Sequence, residues 1–256
     1  MIVLKFGGSS VAEPSRIKHI GELLKKRVNQ GDKITVVFSA FGGVTDTLIS
    51  MGETAAKGLS DYKQIHKKYV NRHNSALKEL LDEGAYEKAQ IKLSENHETL
   101  EQLLTGVFLV REASLRTMDY ILSFGERNSC YIISEYFKTI GIPASFIDAR
   151  DIIKTDKTFG SARVDFSVTN DKIQKFYSEV DNDVKIVTGF VASDTGGLTT
   201  TLGRGGSDYT AAILAGALTA EKLEIWTDVD GVLTCDPRKV STVSYTHLTL
   251  PTICSV

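Results

Sequence analysis

Apolar positions along the chain fall into short runs that stop at glycine. Ile2 to Phe6 is one such run, ending at Gly7-Gly8, and Ile34 to Phe38 is a second, feeding a loop that contains Gly42-Gly43. Runs of this length, rich in β-branched residues and cut by turn residues, predict strands buried on both faces, as in a parallel sheet. Between them Ile17, Ile20, Leu23, Leu24 and Val28 recur at helical spacing from Pro14 to about Gly31. A proline in the first turn and a glycine past the last residue mark the two ends of that helix. Strand, glycine loop, helix, strand, glycine loop is the beginning of an α/β sheet covered by helices.

From about Thr45 to Ile140 the pattern is helical. Leu77, Leu80 and Leu81, then Ile91, Leu93, Leu100, Leu103 and Leu104, return at helical spacing among charged residues. This predicts a helical insertion over about 45–140 whose charged faces are solvated. Ala144 to Ile147, Lys185 to Val187 and Leu223 to Trp226 read as further strands, and Asn170 to Ser178 as a short helix. Gly196-Gly197 predicts a hairpin turn. Ser207-Asp208 opens a helix of small residues that includes Ala211, Ala212, Ala215 and Ala217. Residues 241–256 differ from the rest: they contain no Asp, Glu, Lys or Arg and are rich in Ser and Thr. They could form a final strand pair, but read rather as an atypical, non-native tail, so the main domain is expected over 1–240 and truncated at its C-terminal end.

Charge removes several classes of partner. The 256 residues carry 30 Lys+Arg against 32 Asp+Glu, a net charge of −2, which leaves no basic footprint for nucleic acid or an anionic membrane. The three cysteines, Cys130, Cys235 and Cys254, show no CxxC spacing, so neither a disulfide framework nor a zinc knuckle is expected. The N-terminus lacks the basic start and long apolar stretch of a signal peptide, and no segment reaches the length of a membrane span. The expectation is a cytoplasmic protein. His19, His66, His73, His97 and His247 show no paired metal-ligand spacing and read as surface or structural residues; no metal site made by the protein is expected.

Three segments carry candidate chemistry. Gly7-Gly8-Ser9-Ser10 follows a strand and precedes a helix, so its N–H groups can face a phosphate without Cβ interference, and Lys5 can place an ammonium over the same spot. Ser39-Ala40-Phe41-Gly42-Gly43-Val44-Thr45-Asp46 repeats the device at the next strand end. Either loop alone could be just a tight turn; two at successive strand ends favour phosphate. In Thr199 to Asp208, three glycines surround Arg204 just before a helix N-terminus. Its guanidinium matches a carboxylate, and Asp208 can orient a lysine or a metal ion. The plainer reading makes Ser207 an N-cap and Asp208 a first-turn acid. Trp226-Thr227-Asp228-Val229-Asp230-Gly231 ends a strand in acids that can hold metal or ribose or simply turn the chain, and Glu126 reads as an exposed carboxylate. There is no Gly-Lys dipeptide and no GxGxxG, which excludes the Walker A loop, the dinucleotide fingerprint and the protein-kinase glycine loop.

Taken together and in order, Lys5-Phe6-Gly7-Gly8-Ser9-Ser10-Val11, Ser123-Phe124-Gly125-Glu126-Arg127, Gly203-Arg204-Gly205-Gly206-Ser207-Asp208-Tyr209 and Trp226-Thr227-Asp228-Val229-Asp230-Gly231-Val232 resemble the aspartokinases. The resemblance covers residues 1 to about 240, the family's catalytic domain. It implies the amino-acid kinase fold, a three-layer sandwich with a mainly parallel central sheet, and ATP-dependent phosphorylation of the side-chain carboxylate of L-aspartate, towards lysine, threonine and methionine. By position it implies Lys5 and Asp208 as catalytic residues. It implies Ser39, Thr45, Glu126 and Arg204, with Gly205, Gly206 and Ser207, around aspartate: Glu126 on the ammonium and Arg204 on the α-carboxylate. Lys5, Gly7, Gly8, Ser9, Thr227, Asp228, Leu233 and Arg238 fall around ATP, with Leu233 where relatives often carry tyrosine. Mg²⁺ is implied as cofactor, held by phosphates and water, and a homo-oligomer as the assembly. Cys235-Asp236-Pro237-Arg238 is also similar to kinases fused to homoserine dehydrogenase. A kinase of glutamate, or a nucleotide- and amino-acid-binding module without turnover, are the competing readings.

Overall fold

The structure, a computed structural model, describes residues 1–179 and 184–227. Its strands are β1 (Ile2–Phe6), β2 (Ile34–Phe38), β3 (Ala144–Ile147), β4 (Lys154–Thr155), β5 (Val184–Thr188), β6 (Val191–Asp194), β7 (Thr199–Thr201) and β8 (Lys222–Trp226). The helices are α1 (Pro14–Asn29), α2 (Val44–Ala56), α3 (Tyr62–Leu80), α4 (Glu83–Val110), α5 (Leu115–Thr139), α6 (Ala149–Ile152), α7 (Phe166–Glu179) and α8 (Gly206–Ala217). The β1, β2 and β3 spans match the apolar runs, and the predicted short helix is the middle of α7. Cys235, Cys254, His247 and residues 241–256 lie outside the described residues.

Five strands form a sheet in the order β3-β5-β2-β1-β8, and every pairing in it is parallel. Both faces of β1 and β2 are covered, which is why these two strands are largely apolar rather than alternating, whereas β8 (Lys222-Leu223-Glu224-Ile225-Trp226) is partly exposed. Leu4, Phe6, Val36, Phe38 and Ile186 join the core shared with the α1–α5 layer. Val3, Val37 and Val187 join the core shared with Leu214 of α8 and Ile173 of α7. The α/β sandwich reading therefore holds. Strand parity puts Lys5 on the same face as Val3, beneath α8. Across the sheet Phe6 stacks between Phe38 at 5.4 Å and Trp226 at 5.6 Å.

A smaller sheet, β4-β6-β7, stands beside the first. β6 and β7 are antiparallel, joined through Gly197 at φ +85°, which is the turn the sequence predicts. In the helical layer Asp82 and Ser114 cap α4 and α5 by accepting from the N–H groups of Ala85 and Thr117. Along α4 the buried stripe runs through Ala89, Leu93, Leu100 and Leu104, whereas Ile91, taken with that stripe from its spacing, is exposed. Two residues along a helix are about 200° apart, so Ile91 falls on the opposite face from Ala89 and Leu93.

α5 packs on β2, β3 and β5 as well as on α2, α3 and α4. Its approach to the end of β2 is close: a Cβ at Gly125 would lie 2.9 Å from Ala40 Cβ and 3.3 Å from Leu48 Cδ1. Ala40 has no flexible end to move aside. Gly125→Ala is expected to lower stability by about 1–3 kcal/mol, the usual cost of overpacking. A urea titration checks this, and an unchanged midpoint would mean that the helix has room to retreat.

Candidate active site

In a parallel sheet all strands deliver their following loops to one edge, and a site is expected there. At that edge Lys5, Gly8, Ser39, Thr45, Glu126, Arg204, Gly205, Gly206, Ser207 and Asp208 line a single cavity of about 310 Å³. Ten of the residues singled out from the sequence thus meet in one place, although they come from β1, the β2–α2 loop, α5 and the start of α8. Gly7 and Ser9 are not among the lining residues. A Cβ at Gly7 would be 3.4 Å from Lys5 Nζ, so Gly7 sits beside the ammonium. Ser9 is exposed, and its carbonyl accepts a bond from Arg16 Nη1. Thr227 follows directly on β8 and is exposed, while Asp228, Leu233 and Arg238 lie outside the described residues.

The two glycine loops pack back to back. A Cβ at Gly8 would stand 3.0 Å from Ala40 O, and one at Gly42 3.1 Å from Gly8 O. Side chains there would force the loops apart, so the glycines serve close approach as well as turning. Gly43, at φ +77°, then caps α2. On the opposite wall the N-cap of α8 is Gly205 at φ +74°, not Ser207, which is buried in the first turn with its Oγ against Gly189. Gly203 is also left-handed, at φ +75°, so Arg204 is held out between two positions that favour glycine. Arg204 is exposed and engaged in no ion pair among the described residues.

Lys5 Nζ lies 2.7 Å from Asp208 Oδ1; the lysine side chain is 11% exposed and the aspartate 46%. Strand parity aims Lys5 at α8, and the first-turn position of Asp208 brings its carboxylate to meet it. The pair fixes an ammonium at the mouth of a helix N-terminus, where backbone N–H groups also favour an anion.

Glu126 is buried at 4% exposure, which corrects the expectation of an exposed carboxylate. The sequence gives no warning, because Gly125-Glu126-Arg127 reads equally well as a surface patch. Gly125, packed against Ala40, carries its neighbour into the interior. Oε1 accepts from Ala40 N at 3.1 Å, whereas Oε2 has no hydrogen-bond partner among the described residues. Burial pushes its pKa up to about 8, against the lowering effect of the Ala40 bond. The carboxyl is therefore largely neutral at pH 7 and poised to ionise beside a cation.

Two features escaped the sequence reading. Phe190 lines the cavity at φ +67°, a conformation rare for a bulky residue, and its ring would lie 2.8 Å from a Cβ at Gly206. The only sequence signal is its place between Gly189 and a strand. His66, His73 and His97 are buried together around Tyr69 behind the site, structural as expected but far from the surface. Burial depresses His73 to about 4 and His97 to about 3, so both are neutral. No group of three His, Cys, Asp or Glu side chains among the described residues could hold a metal ion.

Comparison with known proteins bears on the family and the fold. The sequence model of the amino acid kinase family matches residues 1–251. Aspartokinase 1, chloroplastic, of Arabidopsis thaliana is 38% identical over 243 residues, covering 92% of this chain and 41% of the relative. A bifunctional aspartokinase/homoserine dehydrogenase 2 of Zea mays is 30% identical over 240 residues, covering 93% and 26%. Among solved structures, E. coli aspartokinase III in complex with aspartate and ADP superposes with a TM-score of 0.85 at 30% identity, covering 96% of this chain and 53% of that one. The chain thus spans about half, or less, of the length of these relatives.

The raised pKa of Glu126 makes a stability prediction independent of function. Unfolded, the group titrates in the ordinary carboxylate range; folded, it titrates near 8. Its contribution is fully present at acid pH and is lost as pH rises through that window. Glu126→Gln, which cannot ionise, is expected to melt increasingly above wild type between pH 5 and pH 8. A pH series of thermal melts checks this, and a gap that stays constant would assign Glu126 an ordinary pKa.

Proposed function

This chain belongs to the amino acid kinase family, and on that premise we propose that it phosphorylates the side-chain carboxylate of L-aspartate from ATP, giving 4-phospho-L-aspartate and ADP. The observation that carries the reading is a pair of unpartnered groups, one acidic and one basic, in one cavity. Glu126 offers a buried carboxyl oxygen without a partner and Arg204 a guanidinium without an ion pair among the described residues. Together they are the complement of an α-amino acid's ammonium and carboxylate.

With those two groups engaged, the remaining carboxylate of aspartate is free to act as nucleophile. Its ordinary pKa of about 3.9 leaves it ionised at neutral pH, so no protein base is needed. The carboxylate oxygen forms a bond to the γ-phosphorus as the bond from that phosphorus to the bridging oxygen breaks, and ADP leaves with the electron pair. The work left to the protein is alignment and charge neutralisation. Lys5, held by Asp208, meets the charge on the transferring group, and Gly8, Gly42, Gly43 and the first turn of α8 supply N–H groups and space. Ser39 and Thr45 line the aspartate side, Gly205, Gly206 and Ser207 frame Arg204, and Gly7 and Ser9 continue the phosphate loop. Thr227, Asp228, Leu233 and Arg238 belong to the nucleotide side of the reading. Among the described residues Asp208 brings a carboxylate to the phosphate end, and that donor would suit Mg²⁺, whose other ligands would be water and phosphate oxygens. When bound, Mg²⁺ spreads the charge developing across the phosphates. The product serves the synthesis of lysine, threonine and methionine. A homo-oligomer in the cytoplasm is part of the same reading; no helix among the described residues is long and apolar enough to cross a membrane.

ADP release from Mg-ATP is expected to depend on L-aspartate, and hydroxylamine should trap the acyl phosphate as a hydroxamate. Release driven equally by L-glutamate would move the substrate assignment, and binding of both substrates without release would leave a binding module. Lys5→Ala should lower kcat by about 10²-fold or more, as loss of a preorganised cation does. Arg204→Ala should raise the KM for aspartate at least tenfold, about the worth of a charge-assisted contact, with little change in the KM for ATP. Because the substrate ammonium needs Glu126 ionised, the KM for aspartate should fall by up to about tenfold per pH unit from 6.5 towards 8 and then level off. A flat profile would detach Glu126 from the ammonium.

A further inference from the structure

Asp119 sits in the second turn of α5 and is 1% exposed. No lysine, arginine or histidine is paired with it among the described residues. Its carboxylate instead accepts three hydrogen bonds: Oδ1 from Thr201 Oγ1 at 2.7 Å, and Oδ2 from Thr201 N at 3.1 Å and Gly160 N at 2.9 Å. A buried carboxylate without a cation is costly and its pKa is raised by burial, against the lowering effect of these bonds. Such a group persists where it does something that a neutral residue cannot.

All three donors belong to the segments that support Arg204. Thr201 ends β7, three residues before Arg204, and its carbonyl accepts from Ala162 N at 2.9 Å. Gly160 and Ser161 form the floor under the next turn: a Cβ at Gly203 would lie 3.0 Å from Ser161 Oγ and 3.4 Å from Gly160 O. Leu202 N donates to Phe190 O at 2.9 Å and Gly206 N to Gly203 O at 3.0 Å. The backbone around Arg204 is thereby anchored on both sides, while the side chain itself stays free.

The same helix carries Glu126. Residues 119 and 126 are seven apart, so they share a face of α5 about 10.5 Å apart along its axis. We propose that Asp119 is a positioning residue: through Thr201 and Gly160 it ties the Arg204 loop to α5, so that one helix sets the spacing between the groups that take the ammonium and the α-carboxylate of the amino acid. This assignment rests on the aspartate-kinase reading for its substrate, but the tie itself does not.

A leucine at 119 is nearly isosteric but has no acceptor, so the N–H groups of Gly160 and Thr201 and the Thr201 hydroxyl lose their partner, whereas an asparagine could turn its oxygen to both N–H groups and its NH2 to Thr201 Oγ1. In the full chain, Asp119→Leu is expected to raise the KM for L-aspartate at least tenfold, with the KM for ATP within about twofold and kcat changed less than the KM. Amide exchange over residues 202–206 should quicken at least tenfold while that of β1 and β2 stays slow. Thr201→Val, which removes only the hydroxyl donor, should move both readouts in the same direction by a smaller amount, and serves if the leucine variant does not fold. Parallel rises in both KM values, or unchanged exchange over 202–206, would overturn the proposal. If wild type turns over no amino acid, the kinase reading fails alone, and the exchange measurement still decides whether Asp119 holds the loop.

Discussion

The site depends on how closely α5 is pinned to the C-terminal end of β2. Gly125 meets Ala40, Glu126 accepts from Ala40 N, Ser129 Oγ donates to Ser39 O at 2.9 Å, and Cys130 Sγ lies 3.6 Å from Phe38 O and from Val187 O. Four of six consecutive helix positions thus touch three residues of one strand end. A strand end in a parallel sheet leaves carbonyl and N–H groups that nothing in the ladder satisfies, and α5 supplies their partners. The carboxyl of Glu126 is brought inside by that contact, and its altered acidity is a result of the packing rather than of a nearby charge.

Behind this contact lies a polar layer unusual for a helical core. Tyr69 OH donates to Phe124 O at 3.1 Å and accepts from Asn128 Nδ2 at 2.8 Å, and Asn128 Oδ1 accepts from Asn96 Nδ2 at 2.8 Å. Arg127 reaches Asp148 at 3.4 Å and lies over the Phe124 ring at 4.7 Å. The three hydrogen bonds among Tyr69, Phe124, Asn128 and Asn96 each link two of α3, α4 and α5, so they fix the register of these helices where apolar packing alone would allow them to slide. The neutral histidines fill the remaining space as half-polar aromatics.

What the sequence discloses follows from how local each signal is. β1 and β2 are legible because a five-residue apolar run with a glycine stop has few other meanings, and the two loops with Lys5 follow from them. Arg204 and Asp208 are legible because an arginine among glycines before a helix has no bland role. Glu126 is legible as a residue worth attention but not as a buried one, since its burial comes from contact with residues some 85 positions away. Ser207 as an N-cap fails because Gly205 takes the left-handed position first. Phe190 and Asp119 leave almost no mark: one is defined by a backbone angle, the other by donors from loops 41 and 82 positions downstream. The nucleotide-side residues Asp228, Leu233 and Arg238 rest on the motif alone.

Strand order has a consequence for how such a chain comes into being. β1 is made before the other strands described, yet one of its edges is completed only by β8, with Ile2 opposite Lys222. During vectorial synthesis that edge, and the aromatic face of Phe6, wait while the more than 200 residues between β1 and β8 are made. An unpaired apolar edge is a template for foreign strands. The nascent chain is thus vulnerable along β1 until β8, the last strand among the described residues, emerges as the latch that closes that edge.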